Sequence, residues 1–250
     1  MQDSLYKYLL RLGDNSLILG QRLGEWCGHG PALEEDIALT NIALDLIGQS
    51  TQLLEYAGSL APEKKSADEL AFLRDAPEFL NVILVELPNE DYAFTIARQF
   101  IFSAYLDLLY LKLMSSKDIQ LRAIAAKSSK ELGYHYKHSR DWIVRLGDGT
   151  ELSHDKIQHA INTIWTYSGE LFEDDKIEVE LTEKGIACLN SGLLAEWKVR
   201  VEDCFNEATL TIPEEQWMQT GGRTGKHSEH LGFILSDMQF LQRAYPGNEW

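Results

Sequence analysis

Between Leu33 and Gly58 the chain is apolar on almost every side of a helix: Ile37, Ala38, Leu39, Ile42, Ala43, Leu44, Leu46 and Ile47. Such a helix is expected to be buried on several sides, which other helices must supply. The exceptions are Asn41, Asp45 and Gln49, four apart and so on one stripe. Polar groups inside a bundle need partners there, since each one left unpaired costs about 1–3 kcal/mol. The pattern returns twice. Thr95, Gln99, Ser103 and Asp107 line a third helix from about Asp91 to Met114. Lys127, Glu131, His135 and His138 put a lysine, a carboxylate and two imidazoles on one face of a fourth, from about Asp118 to Gly147.

Leu5, Leu9, Leu12, Leu19, Leu23 and Trp26 set the rhythm of a first helix, which Gly28, His29, Gly30 and Pro31 end. Asp68 to Val85 reads as short helical pieces broken at Pro77. Beyond Gly149, helices are expected over 155–172, 193–210 and 228–244, with Ser153 as an N-cap. Ile177 to Leu181 alternates like a short extended piece. No internal repeat or linker interrupts the chain. It reads as one all-α domain over residues 1–250: a four-helix bundle from about 4 to 147, with additional C-terminal helices from about 153 to 250 packed around it.

Charge and cysteine content narrow the function. Twenty-three basic residues against 39 acidic ones give a net charge of −16. Nucleic acid and anionic membrane both demand a basic face, so neither is an expected partner. No apolar run reaches the ~20 residues that span a bilayer. The three cysteines, Cys27, Cys188 and Cys204, form no C-x-x-C pair and fit a reducing cytoplasm.

A Glu beside His on a helix wall is how helical bundles build carboxylate-bridged metal sites, so the donors can be counted. A di-iron centre takes one Glu from each of two helices and Glu-x-x-His from each of the other two. After Glu131 the third residue is Tyr134, and His135 comes one step late. The second helix has no histidine. The third offers Asp107 and an early Glu86. A complete site is not expected, and Asp45, Glu131 and His135 stand as members of a degenerate one. Internal pairing of the stripes is the favoured reading. Glu151 to His154, the literal Glu-x-x-His, falls in a turn and is discounted.

The loop Gly221-Gly222-Arg223-Thr224-Gly225-Lys226-His227 fails the phosphate-loop pattern, with Thr220 for the first Gly and His227 where Ser or Thr would hold magnesium. Arg223, Lys226 and His227 still make a basic island in an acidic chain. It could meet a phosphorylated ligand or an acidic partner, or be a solvated turn.

Longer motifs carry a resemblance. R-L-G-D-N-S-L-I-L-G-Q-R-L-G-E-W-C-G-H-G-P (11–31), I-A-L-T-N-I-A-L-D-L-I-G-Q (37–49), K-E-L-G-Y-H (130–135), N-E-A-T-L (206–210) and T-G-G-R-T-G-K-H-S-E-H-L-G (220–232) resemble the bacterial phenylacetyl-CoA epoxidase subunits, above all the C-type branch. The resemblance runs from about Leu9 to Trp250. It implies a ferritin-like fold without a cofactor of its own, acting as a structural subunit that stabilises a related catalytic, A-type subunit in aerobic phenylacetate degradation. The catalytic subunit would carry the di-iron centre and epoxidise the ring, with electrons from NADPH through FAD and iron–sulfur carriers in a reductase component. Glu131 and His135 match the family's helix motif. The resemblance also implies coenzyme A contacts at two corners, Glu78, Phe79, Leu80 and Asn81, and Val179, Glu180 and Leu181. Two other readings are kept: an autonomous di-metal carboxylate enzyme, and a coenzyme A-binding module in which Arg223 and Lys226 meet the phosphates.

Overall fold

Nine α-helices and no strand are found among the described residues of the computed structural model, which are 2–214 and 216–248. Met1 and Trp250, the ends of the single-domain reading, lie outside them. The helices are α1 (Gln2–Gly24), α2 (Leu33–Leu60), α3 (Ala67–Phe72), α4 (Tyr92–Leu113), α5 (Ile119–Gly147), α6 (Glu151–Ile164), α7 (Lys176–Glu183), α8 (Leu194–Glu207) and α9 (Glu229–Ala244). This is an all-α fold of the ferritin-like class.

Two compact units divide the chain: Met1–Pro88 with Gly221–Trp250, and Asn89–Thr220. In the first, α1 and α2 run antiparallel. Gly13 approaches Leu54, and Gly20 approaches Ile47 and Ala43. Their seam is Leu9, Ile18, Leu19, Leu23, Leu39, Ile42 and Leu53, each 0% exposed. Each such side chain contributes roughly 1.5–3 kcal/mol relative to leaving it in water. The outer flank of α2 corrects the expectation of burial on several sides, because Leu33, Ile37 and Leu44 are 72%, 51% and 61% exposed. Asn41 is exposed with them, Asp45 is half-buried and Gln49 is buried. A helix hydrophobic all round has here kept one seam for the core and turned the rest outward. α3 and α9 complete the unit against α2 and α1.

In the second unit α4 and α5 are also antiparallel, with Tyr92 beside Trp142 and Phe100 beside Tyr136. Asp91 and Asp118 cap them by accepting the Phe94 and Leu121 N–H groups. α6 and α8 pack on both. Three sequence expectations fail locally. α6 starts at Glu151, capped by Thr150, and Ser153 is the third residue of that capping box, not its cap. The helix expected to reach Phe172 stops at Ile164 and continues as 3-10 turns, 165–167 and 169–172. Residues 177–181 are not extended but lie inside α7, opened by a box between Asp175 and Glu178.

Candidate functional site

Asp14 and Asn15 stand in the middle of α1, 0% and 6% exposed, where an unpaired polar group would be costly. Both serve the irregular segment 78–86. The Asp14 carboxylate accepts the Leu80 N–H at 2.9 Å and the Arg74 guanidinium through both oxygens. Asn15 Oδ1 accepts the Val82 N–H at 2.8 Å. Arg74 donates in turn to the Glu78 carbonyl at 3.0 Å and lies 4.2 Å over the Phe79 ring. The chain is held at this corner by α1 acting as its cap.

Glu86, fully buried in the 3-10 turn Ile83–Glu86, is the second hub. Its Oε1 accepts Asn81 Nδ2 at 2.9 Å and His227 Nδ1 at 2.5 Å. Its Oε2 accepts the Ser228 N–H at 2.9 Å and hydroxyl at 2.6 Å. Arg22 donates twice to its backbone carbonyl, at 3.0 and 2.8 Å. His227 Nε2 donates to the Phe79 carbonyl at 2.8 Å. Both imidazole nitrogens therefore face acceptors, which the doubly protonated ring satisfies. Burial pushes the His227 pKa down, but the hydrogen bond and charge of Glu86, the Phe79 carbonyl and the Asp14 charge outweigh it and leave it raised.

The glycine-rich loop folds onto the same corner. A Cβ on Gly222 would stand 2.3 Å from the Asn81 carbonyl oxygen, and one on Gly225 2.3 Å from that of Pro77. Gly225 is also left-handed, with φ 83°. Glu78, Phe79, Leu80 and Asn81 are thus brought together with Arg223, Lys226 and His227 in one patch. Phe79 and Asn81 are 0% exposed, so they shape the patch from beneath and present no stacking surface of their own. Glu78, exposed, Leu80 and Arg223, half-buried, and Lys226, exposed, form its rim. The Arg223 carbonyl accepts from Arg11 at 3.3 Å.

Val179, Glu180 and Leu181 belong to the other unit. They are helical, so the Val179 N–H is not exposed backbone but donates to the Asp175 carbonyl at 3.1 Å. Leu181 is buried, and Glu180 pairs with Lys184.

In that unit the third polar stripe is paired within the helices. Thr95 donates to the Asn89 carbonyl at 3.0 Å, and the Ser103 and Ser139 hydroxyls are 3.0 Å apart. Asp107 accepts from Arg200 of α8 at 2.6 Å, and that guanidinium lies 4.8 Å over the Tyr136 ring. His135 is buried on α5, Glu131 and His138 are half-buried there, and Asp45 belongs to the first unit. No three His, Cys, Asp or Glu side chains among the described residues stand close enough to hold an ion. The donor set of a di-iron centre does not fit these residues, and no step of a reaction is derived through one.

Asp14, Asn15, Arg74, Glu86 and Ser228 build the corner and are not among the sequence candidates for it. The available signal is Asp14-Asn15 inside an otherwise apolar first helix. No helix among the described residues is long and apolar enough to cross a membrane.

Comparison with known proteins agrees with this architecture. The family model described as Phenylacetic acid catabolic protein matches residues 1–250. The chain is 52% identical over 248 residues to the C-type subunit of the 1,2-phenylacetyl-CoA epoxidase of Escherichia coli (strain K12), covering 99% of this chain and 100% of the relative. With the family model and the relative both aligned from end to end, the chain belongs to the PaaA_PaaC family of phenylacetic acid catabolic proteins.

Proposed function

We propose that the chain is the non-catalytic structural subunit of a multicomponent phenylacetyl-CoA epoxidase, bound to and stabilising a related catalytic subunit in the cytoplasm. The di-iron centre belongs to that partner, and the NADPH, FAD and iron–sulfur chemistry to a reductase component. The observation that carries this reading is the fate of the carboxylate at the centre of α4: Asp107 is taken up by the Arg200 guanidinium. End-to-end identity with a C-type subunit supports it.

The test is expression of the catalytic subunit alone and together with this chain. The two should co-purify, with the catalytic subunit losing solubility or activity when this chain is omitted. The isolated chain should hold iron far below stoichiometry. If it instead held about two irons, the complement of a carboxylate-bridged centre, and epoxidised phenylacetyl-CoA with the reductase, the reading would be wrong and the autonomous enzyme correct.

A second reading is favoured by one observation, the joining of the Glu78–Asn81 corner to the Arg223–His227 loop. We propose that the rim of this patch contacts the coenzyme A part of the substrate, with Arg223 and Lys226 toward its phosphates. Calorimetry with coenzyme A, with and without the catalytic subunit, tests it. Arg223→Ala should weaken binding, and unchanged affinity would overturn the proposal.

A further inference from the structure

The unit Asn89–Thr220 contains a chamber of about 370 Å³ that the proposed function does not use. Its inner walls are Trp165, Phe172, Trp197 and Val201, which are 8%, 9%, 2% and 1% exposed. The two indoles lie 5.7 Å apart at 34°, and the Phe172 ring is 5.0 Å from Trp197 at 59°. Wall polar groups are already committed elsewhere. Trp197 Nε1 donates to the Ile101 carbonyl at 3.1 Å, and Ser168 Oγ to the Trp165 carbonyl at 2.8 Å.

Met218 closes the opposite side. It can do so because residue 169 is glycine: a Cβ there would stand 2.6 Å from Met218 Cγ. The flanking chain is fixed to Thr166, whose hydroxyl donates to the Trp217 carbonyl and whose carbonyl accepts the Gln219 N–H, both at 2.7 Å. Lys198 and Glu202, one turn apart on α8 and exposed, add opposite charges to the lining and favour neither sign of ligand.

A cavity with apolar walls and few open hydrogen-bonding groups stays dry and takes apolar molecules, and about 150 Å³ already accommodates benzene. Here the space is more than twice that and falls within the range of small-molecule sites. Aromatic walls at these angles offer faces and edges to a further ring. Because the walls are themselves buried, the space is a chamber and not a surface groove. We propose that it is a binding site for a small uncharged aromatic molecule of one or two rings.

Indole is a suitable probe, used with the full chain. Calorimetry should show saturable binding. Val201→Phe and Leu194→Phe, which fill the chamber from two sides, should each weaken it by about tenfold, the effect of losing 1.4 kcal/mol, with the helical circular dichroism retained. A second measurement needs no variant: 5-bromoindole held against Trp165 and Trp197 should quench tryptophan fluorescence with the same saturation curve. Absence of saturable binding, binding unchanged in both folded variants, or binding without quenching would each overturn the proposal.

Discussion

Glu86 and His227 form the pair on which the first unit most depends, and their chemistry gives a pH signature. The folded pKa of His227 is raised above its ordinary value, so protonation favours the folded state. That stability is fully present below the unfolded pKa of about 6.5 and is lost as pH rises through the higher folded value. His227→Gln removes one partner of a buried pair, a change that typically costs about 3–5 kcal/mol. In thermal melts the gap between wild type and His227→Gln should be widest in mild acid and narrow toward alkaline pH. A gap that widened instead would show that the ring is neutral when folded. The cysteines give a second signature at this scale. Burial pushes the Cys188 thiol to about 11 and the Cys204 thiol to about 12, while Cys27 is exposed. At pH 8 the thiolate fraction of Cys188 is then on the order of a thousandth. Iodoacetamide should modify one thiol per native chain, at Cys27, and all three after denaturation.

Among the elements, the loop before α9 is the most demanding of its sequence. Gly225→Ala adds left-handed strain of about 1–3 kcal/mol to a Cβ only 2.3 Å from the Pro77 oxygen. It should lower the melting temperature clearly. Gly232→Ala, inside α9 with nothing within 4 Å of its Cβ, should raise stability by roughly 0.5–1 kcal/mol. The contrast separates docking of the loop from helix propensity. How much of this is legible in the sequence follows from the range of each interaction. The caps Asp91 and Asp118 act on amides three residues away, so the bounds of α4 and α5 can be read directly. Asp175 and Glu178 are an equally local capping box, but apolar alternation over 177–181 fits one face of a short helix as well as a strand. The loop 221–227 stands out as a basic island, yet its anchor Glu86 lies 141 residues away from His227, and no local pattern announces such a pairing. Asp107 is legible as a stripe residue, but its partner Arg200 is 93 residues on, in a different helix.

At the scale of the whole molecule, the net charge of −16 coexists with large exposed apolar side chains in the first unit. Leu33 and Leu44 on α2 and Phe233 and Phe240 on α9 are each more than 60% exposed. Such residues contribute little to the chain's own stability. Phe240→Lys is expected to stay within about 0.5 kcal/mol of wild type, as surface changes do. It should also reduce self-association of the isolated chain in sedimentation. A large loss of stability would show that Phe240 packs within its own unit after all.

The Asp107–Arg200 contact has one more consequence, and it concerns supply. A metal ion arrives from outside and can be chelated, oxidised or withheld when the cell runs short. A guanidinium is delivered by the ribosome with every copy of the chain and cannot be lost without breaking a covalent bond. Thermal melts of the isolated chain should therefore coincide with and without EDTA, and chains made under iron starvation should fold as well as any others.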